Sequence, residues 1–299
     1  MATVQPLDRD LQQKKTTLLE FSNLTERILN YLPNVVSSFK DKGKYRIYSS
    51  IIAGSEKFVR PLNTEMFIQD VSTFKIKFNE FQIIINKLRK KETPFTQTEK
   101  EIIDTVVYTI QQSIGAGLDL LANQNSARKH VGNRFEELIK AIFKEINISS
   151  KKTVLQIPYD TDEGKKIYKC ENDLIISPYS HVKSTIHSLD ENEIVVSIKT
   201  TSKDRMGKMF IDKLLLEKFV KHNQKVIGIF LNDVQRKDAN NISYTLVSGL
   251  FMVYSKFLVE LQGIYYIDPP PNANKEPYKT YMKQFSELLT DDLPLLLTT

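Results

Sequence analysis

Cysteine and histidine are scarce in this sequence. One cysteine, Cys170, in 299 residues excludes an intramolecular disulfide, and with only four histidines it also excludes a cysteine-rich zinc site. A lone thiol fits a reducing compartment. His130, His181, His187 and His222 are scattered, with no pair at metal-ligand spacing on one element, and they read as surface or packing residues. No apolar run approaches the roughly 20 residues needed to cross a bilayer. Met1–Leu11 is polar and charged, unlike a secretory leader. The expectation is a soluble, cytoplasmic protein. Repeats and low-complexity stretches are missing as well. Acids are outnumbered, 36 against 42 lysines and arginines, for a formal charge of +6 and a pI near 9.0. That balance suits a polyanionic partner such as nucleic acid without establishing one.

Hydrophobic residues make up 41% of the chain, enough for a full core in one large domain or two modest ones. The first 125 residues read as mostly helical. Leu18, Leu19, Phe21, Leu24, Ile28, Leu29 and Leu32 recur at helical spacing up to Pro33. Phe67, Val71, Phe74, Phe78, Phe81, Ile84, Ile85 and Leu88 form a second stripe that ends in the basic cluster Lys87–Lys91. A third helix is expected after Thr98, with Glu101 completing a capping box and Gly115 and Gly117 loosening its end.

From about residue 126 the pattern alternates. Helices are expected over Ser126–Ile146, Asp204–His222, Gly249–Leu261 and Tyr278–Leu289. Strands are expected over Thr153–Ile157, Ile167–Ser177, Glu193–Lys199, Lys225–Leu231, Ser243–Val247 and Ile264–Ile267. The order predicts an α/β fold: a mixed central sheet flanked by helices over residues 126–299, with a helical N-terminal region over 1–125. Tyr265 and Tyr266 lie in an apolar strand and read as core.

Two of these strands carry charged residues of chemical interest. In Lys169–Ser177, Asp173 stands directly before a run of apolar β-formers. In Glu193–Thr201, alternation puts Val195, Ser197 and Lys199 on one face. A carboxylate and a lysine at the edge of a buried sheet suit phosphodiester hydrolysis. The carboxylate offers hard oxygen ligands to Mg²⁺, the metal activates water, and the lysine adds positive charge where the transition state turns more negative. The plainer reading is two strand-end residues facing solvent. On the 126–146 helix, whose stripe is Val131, Phe135, Leu138, Ile139 and Ile142, Glu136 lies at the edge of the apolar face and Glu137 points away into solvent. In the helix after Lys199, Met206, Phe210 and Leu214 are expected to face the core, leaving Asp212 to reach the sheet edge or water.

Together these segments resemble type II restriction endonucleases of the PD-(D/E)XK superfamily, in particular the SsoII, EcoRII and NgoMIV branch. There, the acid normally two residues before the lysine is replaced by a carboxylate on the following helix. Ser197-Ile198-Lys199 lacks that acid, and Asp212 stands at the compensating position, where the branch usually has Glu. Arg128-Lys129-x-x-Gly132-x-x-Phe135-Glu136 is similar to the branch's opening motif, and Lys199-Thr200-Thr201-x-Lys203-Asp204-Arg205 to its lysine segment and recognition helix.

The resemblance implies catalytic Asp173, Lys199, Glu136 and Asp212, with Asp173, Asp212 and Glu136 holding Mg²⁺. It also implies that Lys203, Asp204 and Arg205 read G·C pairs, by donation to guanine and acceptance from cytosine. The implied partner is double-stranded DNA with a short palindromic CC/GG site, cut by a homodimer. The N-terminal helices would dimerise, clamp DNA near Lys87–Lys91, or both. Three alternatives stand beside this: a repair or junction-resolving nuclease of the same superfamily, a catalytically decayed DNA-binding protein on the same fold, and a helical interaction protein with a chance match.

Overall fold

The computed structural model describes residues 5–52, 54–239 and 241–298, and their side chains apart from those of Gln124 and Asp204. A short helix, α1 (Leu7–Gln12), precedes α2 (Leu18–Val35). Thr17 and Glu20 close a capping box at the start of α2, and Phe21, Leu24, Ile28, Leu29 and Leu32 form its buried stripe. The helix runs two residues past Pro33. An unexpected element follows: strands β1 (Ser38–Lys42), β2 (Tyr45–Ile52), β3 (Ser55–Phe58) and β4 (Leu62–Asn63), with β2 pairing antiparallel to the other three. The helical N-terminal region therefore also contains a small sheet. Periodicity gave no warning because β1 is exposed at every position; backbone pairing to β2, and not an apolar face, holds it in place.

Next come α3 (Val71–Arg89), capped by Asp70, and α4 (Gln97–Leu121). The capping box of α4 is Thr96 and Glu99, two residues earlier than the expected start, and Glu99 is held further by Lys87 at 2.8 Å. Gly115 and Gly117 do not end α4. The Arg60 guanidinium lies against Gly115, where a Cβ would stand 2.4 Å from Arg60 Cζ, and Gly117 receives Leu11. In the basic cluster, Lys87 pairs with Glu99, Arg89 with Glu145 and Lys90 with Glu92.

Helix α5 (Gln124–Glu145), capped by Asn123, leads into the main sheet. Its strands are β5 (Ser149–Thr161), β6 (Gly164–Ser177), β7 (Ile194–Lys199) and β8 (Lys225–Asn232). A 3-10 turn, Lys203–Arg205, and α6 (Met206–Val220) connect β7 to β8. A β-hairpin, β9 (Val234–Arg236) and β10 (Ile242–Tyr244), and α7 (Ser248–Phe257) precede β11 (Gly263–Asp268) and β12 (Met282–Gln284). The sheet order is β12-β11-β8-β7-β6-β5, antiparallel from β5 to β7 and parallel from β7 to β12. This is the mixed sheet flanked by helices that the element order predicts. The expected helix over Tyr278–Leu289 is divided, because buried Met282 pairs with Ile264 as a strand and helical structure resumes only at residue 285.

The sheet buries both faces. Ile194, Val196 and Ile198 of β7 join a cluster with α2, α3, α4 and α5, while Val195 joins a second cluster with Phe210 of α6 and Phe251 of α7. Tyr265 and Tyr266 are buried as expected. Asp268, at the end of β11, binds the small sheet to the large one. It accepts from Lys44 Nζ (3.0 Å), Tyr45 Oη (2.9 Å) and Asn63 Nδ2 (2.9 Å).

Asp104 of α4 is fully buried and accepts from Ser286 N (2.9 Å) and Ser286 Oγ (2.6 Å). Burial, and to a lesser degree Glu287, push its carboxyl up to about 8, against the Ser286 bonds and Lys100. The folded value is raised above the unfolded one. Its stabilising effect is therefore complete below about pH 4 and is lost as pH rises toward 8, by about 1.4 kcal/mol per pH unit in between. Asp104→Asn mimics the protonated form and should not show this loss. Denaturant titrations at pH 5, 7 and 9 check it: the variant gains on the wild type as pH rises, and a constant difference would contradict the assignment.

Candidate active site

β5 and β6 form a long hairpin whose register slips at one place. Lys151 faces Ile175, yet Thr153 faces Asn172, so β6 carries one extra residue beside Asp173 and Leu174. The bulge changes the phase of the strand. Cys170 and Ile175, an odd number of residues apart, both pack in the α6-side cluster, while Leu174 and Ile176 face α5. Bulges re-aim side chains. Here the bulge coincides with the acid that stands closest to Lys199.

Asp173 Oδ2 accepts from Ile198 N at 2.9 Å and lies 2.5 Å from Lys199 Nζ. Lys199 is the last residue of β7, and its ammonium also lies 4.0 Å from Glu136 Oε1. Glu136 projects from α5 toward the sheet, with Lys152 of β5 at 3.8 Å on its other side. Burial, followed by the negative charge of Asp173, raises the Glu136 carboxyl, and Lys199 and Lys152 oppose the shift. The structure thus brings Glu136, Asp173 and Lys199 together. Glu137, expected in solvent, instead accepts from Lys15 N (2.8 Å) and Arg134 Nη2 (2.8 Å), because the loop before α2 packs onto this face of α5.

Asp212 shares a cleft with Asp173, Ser197 and Lys199 but does not join their cluster. Its carboxylate bonds to Lys208, one turn earlier on α6. The buried positions of α6 are Met206, Met209, Phe210, Lys213 and Leu216, so Leu214, expected in the core, is only half-buried. This rotation puts Lys208, Asp212 and Lys213 on the wall of the cleft. Among the described residues, no three acidic, histidine or cysteine side chains are arranged to hold a metal ion. The donors present are carboxylate oxygens, the chemistry a hard divalent cation requires. Lys199 supplies positive charge between the Glu136 and Asp173 carboxylates. In kind, the donor set fits Mg²⁺.

Lys203 and Arg205 stand exposed on the 3-10 turn; the Asp204 side chain lies outside the described residues. Lys199, Lys203 and Arg205 line a groove with Arg60 and Arg128. An adjoining groove adds Arg236, whose guanidinium lies 4.7 Å from the Phe58 ring centroid. Reading the sequence did not identify Arg60 or Arg236, which come from strands or loops with no local pattern. Asp233, directly after β8, likewise stands in no local sequence pattern. The available signal was its place: Lys199, Asp233 and Asp268 stand at or just beyond the carboxyl ends of the parallel strands β7, β8 and β11, where open α/β sheets gather functional groups.

No protein-family model matches the chain, and no curated protein matches it in sequence. Among solved structures, the type IIP restriction endonuclease Kpn2I matches with a TM-score of 0.70 at 18% identity, over 93% of this chain and 91% of that one. The restriction endonuclease PspGI, solved in complex with substrate DNA, matches with a TM-score of 0.41 at 11% identity, over 75% of this chain and 92% of that one. The chain shares the fold of Kpn2I across nearly its whole length.

Proposed function

We propose that this protein is a type II restriction endonuclease that hydrolyses phosphodiester bonds of double-stranded DNA at a short palindromic site containing CC/GG. The observation that carries this reading is the meeting of Asp173, Lys199 and Glu136 at the end of the sheet, beside a groove lined by arginine and lysine. Asp173 and Glu136, with Asp212 if it is released from Lys208, would hold Mg²⁺. When bound, the metal supplies a more acidic water and neutralises phosphate charge. Lys199 places an ammonium beside the scissile phosphate and stabilises charge as the phosphorus becomes five-coordinate. An exposed i,i+4 pair such as Lys208–Asp212 is worth only about 0.3–0.5 kcal/mol, so freeing Asp212 costs little. Lys203, Asp204 and Arg205 would read the G·C pairs. Symmetric cutting calls for a homodimer acting in the cytoplasm as part of a restriction-modification system, with residues 1–125 clamping DNA, dimerising, or both.

One observation favours a second reading. The Lys208–Asp212 pair and the lack of a three-acid cluster among the described residues fit a DNA-binding protein without catalysis. Incubation of the protein with phage DNA separates the two. Discrete fragments with Mg²⁺, none with chelator, and ends that map to one CC/GG-containing site are expected. Intact DNA that is nonetheless retarded in a gel at low salt would favour the binder, and neither cutting nor binding would remove both.

A further inference from the structure

Between Lys199 and Lys203 the chain leaves the sheet through three residues, Thr200, Thr201 and Ser202, and one buried group holds this link. Asp233 is fully buried. Its Oδ1 accepts from Thr201 Oγ1 (2.9 Å), Ser202 N (2.7 Å) and Thr245 Oγ1 (2.9 Å). Its Oδ2 accepts from Ser202 Oγ (2.6 Å) and Tyr266 Oη (2.7 Å). Five donors from three parts of the chain meet on one carboxylate, and no lysine, arginine or histidine is among them. Two backbone contacts lock the same joint: Asn232 N donates to Thr200 O at 3.4 Å, and Thr245 N to Asp233 O at 2.9 Å.

We infer that Asp233 is a positioning residue for sequence discrimination, fixing the angle and height at which the Lys203–Arg205 turn leaves the end of β7. The inference rests on the endonuclease reading above and names a part of its specificity apparatus outside the motif. The link is short, so its conformation is passed directly to the turn. Arg205 N and Met206 N both donate to Ser202 O, at 2.7 and 2.8 Å, so the first turn of the helix starts from the residue that Asp233 grips. A side chain that reads a base edge works only when placed to within a fraction of an ångström. Lys199 is set independently, because its strand pairs with β8 and its ammonium is held by Asp173. Slack at Asp233 should therefore act on discrimination more than on cutting itself.

Ser202 N can only donate, so it requires an acceptor at this position, whereas the four hydroxyls can reverse roles. Asp233→Asn keeps one acceptor and the volume but loses the second acceptor. Thr201→Val removes one donor without touching Asp233, and Thr201→Ser restores it. The experiment first maps the site from fragment ends. It then compares cutting rates at that site and at sites differing by one base pair, for wild type, Asp233→Asn, Thr201→Val and Thr201→Ser, with Lys199→Ala as the control for the endonuclease reading. Asp233→Asn should cut its own site within about tenfold of wild type, while the ratio of correct to one-base-changed sites falls by tenfold or more. Thr201→Val should lose part of that ratio and Thr201→Ser none. Adding Arg205→Ala should cost discrimination in the wild type and little more in Asp233→Asn.

Cutting by Asp233→Asn with an unchanged ratio, or full additivity with Arg205→Ala, would overturn the inference and leave the endonuclease reading intact. If Asp233→Asn does not fold, the two Thr201 variants decide, and equal ratios in both overturn it. Absence of cutting by the wild type, or cutting unaffected by Lys199→Ala, overturns the endonuclease reading and this inference with it.

Discussion

Replacing Lys199 with alanine should stop DNA cutting while DNA binding survives. The ammonium lies 2.5 Å from Asp173 and 4.0 Å from Glu136, so it is already placed where negative charge collects. A preorganised donor of this kind is worth about 10²–10³ in rate, and a full positive charge belongs at the upper end. Binding should persist, because Arg128, Lys203, Arg205 and Arg236 keep the two grooves positively charged. Losing the cation also removes one of the two influences that hold the Glu136 carboxyl down, so any residual activity should need a higher pH. Single-turnover cutting rates and gel retardation on the same duplex measure both halves. A Lys199→Ala protein that cuts like the wild type would remove Lys199 from the chemistry.

Asp173 should matter as much for cutting and in a second way for folding. Its Oδ2 serves Lys199 and also accepts from the backbone N–H of Ile198. Asp173→Ala and Asp173→Asn should both lose cutting by about 10³-fold, since neither offers an anionic oxygen to a cation or to the lysine. Their stabilities should differ. Asparagine retains a carbonyl for Ile198 N, whereas alanine removes this acceptor at a cost of about 1–3 kcal/mol. Denaturant midpoints near neutral pH then separate the two variants, with Asp173→Asn close to wild type. Normal cutting by Asp173→Asn would end the assignment of Asp173 as a metal ligand.

The sequence made some of this legible for physical reasons. Strands such as Ile194–Lys199 and Lys225–Asn232 are buried on both faces and rich in β-branched residues, and α5 shows a continuous apolar stripe, so their type and order follow from composition. The neighbourhood of Asp173, Lys199 and Glu136 could be read because each stands at a marked point: a strand edge, a strand end, the margin of a helix stripe. The bulge could not be read, since an extra residue in a strand changes phase without changing composition. Neither could Asp233, most of whose donors, on Thr201, Ser202 and Tyr266, lie 31 to 33 residues away and include a backbone N–H. Asp212 and Lys208 have i,i+4 spacing in the sequence, but the consequence of their pairing, a carboxylate turned from the other acids, depends on how α6 sits against the sheet. β1 and β12 are strands by virtue of their partners alone.

The bond between Asp104 and Ser286 spans 182 residues. A ribosome makes α4 long before it makes the residue that covers it. Until Ser286 emerges, the middle of the molecule holds a carboxyl group with neither its hydrogen-bond donors nor a dry environment, and water must occupy its place. Sheet order compounds the delay, because β12 is made last and seals one edge of a sheet whose other edge, β5, is made more than a hundred residues earlier. A chain with such distant partners closes late and as a whole. The groove beside Lys199 thus takes its final shape only when almost all of the described chain has left the ribosome.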